Sequence, residues 1–250
     1  MYSIINKLLN KILHRNMLYY NKILIIDDNN NNNIVYKVND GVNNYVLKQI
    51  RLLYNFTNEY EIPLKINSNY IIQHYNAIVD DDYYYILSKY YKGPDLYDVI
   101  FNKNELNTVD DVINVSLQML YCLNECFKNG YVHLDIKPEN FIYDKNGFLI
   151  LIDFGCVHEC DNVNYTTLHH LDHTVGTIRF ISSEVLYNKE YCATTDMYSF
   201  SKIVLEIISY LRIPMEKFPK YFINLINSCY TDNHKLRPTP QQVIDLIVNI

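Results

Sequence analysis

The chain has 250 residues, 49% of them apolar and 20% charged, with a net charge of −6 at pH 7. That length can bury a sizeable core, as one large domain or two packed lobes, and the composition is that of an ordinary globular protein. The acidic balance argues against a nucleic-acid partner, which usually meets a basic face, while leaving room for a local basic patch.

Residues 2–20 place Ile4, Ile5, Leu8, Leu9, Ile12 and Leu13 at helical spacing, with Lys7, Lys11 and Arg15 on other faces. This predicts an N-terminal amphipathic extension over 1–20, which either docks on a partner or membrane surface or packs on its own domain. Short β-like runs follow at Lys22–Ile26, Ile34–Val38 and Tyr45–Ile50, separated by Asn-, Asp- and Gly-rich turns. Residues 51–66 look helical, with Pro63 as an interruption, and Ile71–Ile78 and Tyr83–Lys89 return to strand character around a turn at Asp80–Asp82. Beyond Pro94 the pattern becomes helical, at 108–128, 195–211 and 239–249, with a shorter stretch near 218–229. The organisation expected is α+β: a small antiparallel β-rich lobe over about 21–90 and a larger helical lobe over about 91–250. Two such bodies leave a cleft for a ligand.

The six cysteines, at 122, 126, 156, 160, 192 and 229, include C-x3-C spacings that miss the usual zinc patterns. Free thiols in a reducing compartment are expected. No apolar run reaches the roughly 18–20 residues of a membrane span, and no signal-peptide pattern opens the chain. A cytoplasmic or nuclear location follows, in the host cytoplasm if the AT-biased sequence is viral.

The most informative segment, residues 131–142, reads Tyr-Val-His-Leu-Asp-Ile-Lys-Pro-Glu-Asn-Phe-Ile, and an apolar strand then leads to Asp153-Phe-Gly. Asp135 and Asn140 are five apart, and Asp153 lies thirteen further on. Phosphoryl transfer needs a group that orients the attacking hydroxyl and oxygen ligands for the hard cation Mg²⁺. One carboxylate for the hydroxyl, with an amide and a second carboxylate for metal, supplies them.

These two segments resemble the catalytic loop and Asp-Phe-Gly signatures of the eukaryotic protein kinase family. The resemblance extends through most of the chain and implies the two-lobe kinase fold, with ATP and Mg²⁺ as cofactors and a protein substrate. It implies that Lys48, in Tyr45-Val-Leu-Lys48, contacts the α/β-phosphates and pairs with Glu59. It makes Ser88 the gatekeeper, Lys89–Tyr91 the adenine-binding backbone and Asp95 a ribose contact, with Val35 and Val46 packing on adenine. Gly176–Glu184 resembles the segment ending in Ala-Pro-Glu, and Arg237 is expected to pair with Glu184 structurally. Lys137 and Thr177 match the residues that Ser/Thr kinases place beside the catalytic aspartate. A monomer is expected, with Ser/Thr as acceptor.

Several positions depart from the family pattern. No glycine precedes residue 40, so Asp28, Asn30 and Asn33 stand at the three glycine positions of the phosphate loop. Asn tolerates φ > 0 but keeps phosphate further from the backbone than Gly does, which predicts weakened ATP binding. Val46 replaces the usual alanine and narrows the adenine pocket. The interval from Lys48 to Glu59 is short, and Pro63 should break the helix after Glu59, making Glu61 an alternative partner. Leu134 replaces the arginine that receives an activation-loop phosphate, so dependence on phosphorylation of Thr166, Thr167 or Thr174 through that contact is not expected. The histidines and cysteine at 158, 160, 169, 170 and 173 read as a solvated flexible loop rather than a metal site. Asp95, Glu139 and Glu206 fall where some family members favour basic substrate residues. The competing reading is a catalytically weak or inactive pseudokinase that regulates a partner by contact. A small-molecule kinase is the more distant one.

Overall fold

The computed structural model describes residues 33–52, 57–103 and 105–249 in full, and 21–27 as main chain. The expected 2–20 helix and the phosphate-loop positions Asp28 and Asn30 lie outside the described residues. The chain divides into two compact units, with the boundary between Tyr91 and Lys92.

In the first unit, β1 (Asn21–Asp27), β2 (Asn33–Asn39), β3 (Asn44–Arg51), β4 (His74–Val79) and β5 (Tyr83–Lys89) form one antiparallel sheet in the order β1-β2-β3-β5-β4. The period-2 alternation read from the sequence is the reason they pair as they do. Ile34, Tyr36, Val38, Leu47, Tyr85 and Leu87 form a buried cluster. Registry sets Val35 opposite Lys48, Val46 opposite Ser88 and His74 opposite Ser88, so these residues share the other face. Two hairpins close by the same device. Asp40 Oδ1 accepts from the N–H groups of Val42 and Asn43 while Tyr45 Oη donates to Oδ2. Asp80 does the same with Asp82, Tyr83 and Tyr85.

Pro63 does not end the helix. Helix α1 runs Thr57–Ile66 with Pro63 inside it. Proline has no N–H for the carbonyl four residues earlier, which here belongs to Glu59. His74 Nε2 lies 3.0 Å from that carbonyl oxygen and supplies the missing donor. The strand expected from Ile71 begins only at His74, and its register shifts between His74 and Asn76.

The second unit is built on α2 (Val109–Lys128), α3 (Thr195–Leu211), α4 (Lys220–Cys229) and α5 (Pro240–Val248). Thr108 and Thr239 begin α2 and α5 with reciprocal capping boxes to Asp111 and Gln242. Helix α2 packs against α5, and Asn124 Nδ2 donates to Gln241 Oε1 across the contact at 2.8 Å. Among these helices lie the short ladders β6 (Tyr131–Val132) with β9 (His158–Glu159), β7 (Phe141–Tyr143) with β8 (Leu149–Leu151), and β10 (His169–His170) with β11 (Glu190–Tyr191).

Those ladders correct the reading of the histidine-rich segment as a solvated loop at His158 and His169, while His170 and His173 are exposed as expected. His158 and His169 both pack on the Tyr191 ring, with centroids 5.4 and 5.2 Å away, and His158 Nδ1 lies 2.9 Å from the Cys156 carbonyl oxygen. Ring stacking and strand pairing hold them, and neither leaves a signal in local sequence spacing. All six cysteines are free thiols. No described helix is long and apolar enough to cross a membrane.

Glu184 and Arg237 meet in the interior of this unit. Arg237 Nη2 donates to Glu184 Oε2 at 2.9 Å and Nη1 to Oε1, while Nε donates to the Thr231 carbonyl oxygen. Arg237 is only 1% exposed, so this bidentate pair is a buried strut.

Candidate active site

In the second unit, β6 delivers the chain to a tight bend at His133–Asp135. Leu134 has φ +64, a left-handed conformation that a branched side chain adopts only when its surroundings impose it. Asp196, in the first turn of α3, imposes it: its two carboxylate oxygens accept from the N–H groups of His133 and Leu134, at 2.6 and 2.9 Å. Burial pushes the Asp196 carboxyl up, against the pull of His133 and of these donors. His133 Nε2 donates to the Ile152 carbonyl oxygen at 3.1 Å, and its Nδ1 accepts from the Asp135 N–H. The bend is therefore tied both to α3 and to the strand that leads to Asp153.

Three polar side chains converge on Asp135. Thr177 Oγ1 donates to Asp135 Oδ1 at 2.7 Å, and Lys137 Nζ donates to Oδ2 at 2.7 Å. Lys137 also reaches Thr177 Oγ1 at 3.1 Å, and Asn140 Nδ2 donates to Oδ2 at 3.2 Å and to the Asp135 carbonyl oxygen at 2.8 Å. Burial would lower the Lys137 pKa, but Asp135, Asp153 and Glu139 outweigh it and hold the ammonium above its ordinary value. Lys137 thus stays charged. Gly176 sets the approach of Thr177. It has φ +87, and a Cβ there would lie 2.2 Å from the Leu134 carbonyl oxygen. Only glycine permits both the conformation and the contact.

Asn140 and Asp153 are linked through the backbone, because the Ile152 N–H donates to the Asn140 carbonyl oxygen at 2.9 Å. Asp153 is left-handed, with φ 65 and ψ 72. With Nδ2 turned onto Asp135, Asn140 keeps Oδ1 for another partner. One amide oxygen and one carboxylate are ligands of the kind Mg²⁺ takes when phosphate oxygens and water complete its shell. The donor set fits that ion. Among the described residues no group of three or more His, Cys, Asp or Glu is placed to hold a metal unaided.

Asp95 carries a local structural role. Its Oδ1 accepts from the Asp98 N–H at 2.8 Å, where the short helical segment Asp98–Asn102 begins, and its backbone bridges to Ile142. Burial pushes its carboxyl up, partly offset by that N–H donor.

The first unit carries the remaining expected residues. Lys48 Nζ and Glu59 Oε1 form an ion pair of 2.5 Å, with the Glu59 side chain 5% exposed. Glu61, the alternative partner, instead sits 3.8 Å from Lys65 on the outer side of α1. Val35 and Val46 flank Lys48 on its face of the sheet. Lys89 commits its N–H to the Gln73 carbonyl oxygen at 2.9 Å, and Tyr91 Oη accepts from the Gln73 N–H at 3.2 Å. Any adenine contact made by the Lys89 backbone must therefore use its carbonyl.

Three residues of the site have roles that sequence reasoning misses. Asp196 stands in the sequence as the start of a helix, and its distance from His133 along the chain carries no local signal of the hydrogen bonds between them. His133 belongs to a motif that specifies neither its tautomer nor its partners. His74 has only an indirect hint in the sequence, which is Pro63, whose carbonyl partner has to find a donor elsewhere.

A family model for the protein kinase domain matches residues 23–217. A probable serine/threonine-protein kinase of Dictyostelium discoideum is 30% identical over 201 residues, which is 78% of this chain and 14% of that protein. The cGMP-dependent protein kinase of Plasmodium berghei is 29% identical over 154 residues, 62% of this chain and 17% of that protein. CDPK-related kinase 1 of Arabidopsis thaliana is 34% identical over 136 residues, 53% of this chain and 23% of that protein. The chain spans less than a quarter of the length of each of these relatives.

Proposed function

This chain belongs to the protein kinase family, and on that premise we propose that it transfers the γ-phosphoryl group of ATP to Ser or Thr hydroxyls of protein substrates. The observation that carries the proposal is the convergence of Lys137, Thr177 and Asn140 on the Asp135 carboxylate. Asp135 is nearly buried and held by three donors, so its oxygens are aimed before any substrate arrives. Such fixed placement is what phosphoryl transfer asks of a protein, since most of the catalysis is positioning and electrostatics.

In this mechanism Asp135 orients the acceptor hydroxyl and takes its proton. Lys137, kept charged, offsets negative charge on the group in transfer. Lys48, steadied by Glu59, holds the α/β-phosphates. Asn140 Oδ1 and Asp153 would hold Mg²⁺, which when bound neutralises phosphate charge. Thr177 fixes the Asp135 carboxylate and orders the segment that would face a peptide. Its contact with Lys137 supports Ser/Thr over Tyr as the acceptor. Glu206 is already engaged by Arg179, at 2.8 Å, and so offers little to a basic substrate residue.

The test is transfer of labelled γ-phosphate to a generic basic protein at millimolar ATP and Mg²⁺, beside Asp153→Asn and Asp135→Asn. Transfer that disappears in both variants supports the proposal. A folded wild-type protein that transfers nothing refutes it and favours a pseudokinase that acts by contact.

A further inference from the structure

Helix α1 carries Glu59, yet it contains a proline four residues later that deprives the Glu59 carbonyl of its helical donor. The side chain that reaches this carbonyl comes from β4. His74 Nε2 lies 3.0 Å from Glu59 O, and His74 Nδ1 lies 2.7 Å from Ser88 Oγ. A carbonyl can only accept, so Nε2 must carry the proton. In the neutral ring Nδ1 is then the acceptor, and the Ser88 hydroxyl donates to it. Ser88 is 2% exposed and sits opposite both Val46 and His74 in the sheet. The imidazole therefore bridges the helix that carries Glu59 to the strand that carries Ser88, and the Tyr60 ring packs beside it with centroids 5.8 Å apart.

We propose that His74 is a positioning residue for the Lys48–Glu59 pair: its Nε2–H replaces the donor that Pro63 lacks, and its bond to Ser88 fixes where that donor points. This rests on the reading of Lys48 as the phosphate-holding lysine. The geometry explains how a short interval with a helix-breaking residue still delivers a carboxylate to Lys48. Pro63 offers the Glu59 carbonyl no N–H, and the imidazole makes that carbonyl a point at which the sheet grips the helix. Burial, helped by the Lys48 charge and opposed by the Glu59 bond, keeps His74 neutral near physiological pH and so preserves this donor–acceptor arrangement.

The bridge separates into two halves that amide side chains can imitate one at a time. Gln reaches about as far as Nε2 and can keep the bond to Glu59, whereas Asn reaches about as far as Nδ1 and can keep only Ser88. Four variants are compared with wild type: His74→Ala, His74→Gln, His74→Asn and the double variant His74→Ala with Pro63→Ala. The single variant Pro63→Ala completes the cycle. The readouts are KM for ATP, kcat, amide hydrogen exchange across 57–66 and the imidazole ¹⁵N spectrum of His74.

Wild type is expected to show the neutral Nε2–H tautomer. His74→Ala should raise KM for ATP and speed exchange in α1, each about tenfold, as expected for the loss of a buried hydrogen bond. His74→Gln should restore most of both, and His74→Asn little. Pro63→Ala should help far more in the His74→Ala background than in wild type, because alanine at that position offers the N–H that proline lacks. The proposal is overturned if His74→Ala leaves exchange in α1 unchanged, if Asn rescues and Gln does not, or if the effect of Pro63→Ala is the same in both backgrounds. Wild type that transfers no phosphate would defeat the kinase reading alone, since exchange and the ¹⁵N spectrum still decide the role of His74.

Discussion

Replacing Arg237 by Ala removes a guanidinium with a fully buried side chain and strands the Glu184 carboxylate in the interior, where the Thr195 hydroxyl, at 3.1 Å, is a neutral donor that cannot replace the lost charge. Breaking a buried pair from one side costs about 3–5 kcal/mol, because the remaining charge is neither solvated nor compensated. For a chain of this size that is a fall in Tm of roughly 10 °C. Removing both charges, as in Glu184→Leu with Arg237→Met, should cost less than half as much, although the Thr231 carbonyl still loses its donor. The pH dependence has a definite sign. Burial works against charge on Glu184, but Arg237 outweighs it and holds the carboxyl below its ordinary value of 4.5. A lowered carboxylate stabilises the fold above the unfolded pKa, and that contribution is lost as the pH falls through the folded value. In the Arg237→Ala variant the unpaired carboxyl shifts upward instead and is relieved by protonation. The stability gap between wild type and Arg237→Ala should therefore narrow as the pH is lowered from 7 towards 4.5, followed by urea denaturation at each pH. A loss under about 1 kcal/mol at pH 7, or a gap that does not move with pH, would refute the account.

Gly176→Ala should lower kcat at least tenfold while the protein stays folded, since a Cβ 2.2 Å from Leu134 O pushes Thr177 off Asp135; steady-state kinetics with circular dichroism checks this. Leu134 is buried with Leu171, Ile181, Val185 and Tyr191, so apolar packing anchors this segment. The Ala variants of Thr166, Thr167 and Thr174 are accordingly expected to keep phosphotransfer within about threefold of wild type, and inactive Ala variants rescued by acidic ones would show the packing account to be wrong. Burial lowers the His74 pKa to about 4, so the unfolded chain binds more protons between about 4 and 6.5 and stability declines as the pH falls through that window. Up to about 3 kcal/mol of that decline should vanish in His74→Gln, measured by urea titration at pH 7 and 4.5.

Much of the molecule is legible from neighbouring residues. Period-2 alternation locates β2, β3 and β5 within a residue or so at each end, and the helical patterns at 108–128 and 195–211 match α2 and α3 closely. The cluster around Asp135 is legible too, because Asp135, Lys137 and Asn140 lie within six residues of one another and the turn that joins them is local. Thr177 is reached only through resemblance, since chain spacing says nothing about which loop returns to which strand.

The set of elements and the chemical inventory follow from periodicity, caps and residue type over a few neighbouring positions. Tertiary structure decided the rest. Pro63 reads as a helix breaker because the sequence shows the missing N–H but not the imidazole that replaces it, eleven residues later on another element. Leu134 holds a left-handed backbone because Asp196, sixty-two residues on, accepts its N–H. His158 and His169 are held by the Tyr191 ring, and His169 and His170 by pairing with β11. In each case a local penalty is offset by a hydrogen bond or packing contact from a distant part of the chain, and only the folded backbone determines where that partner lies.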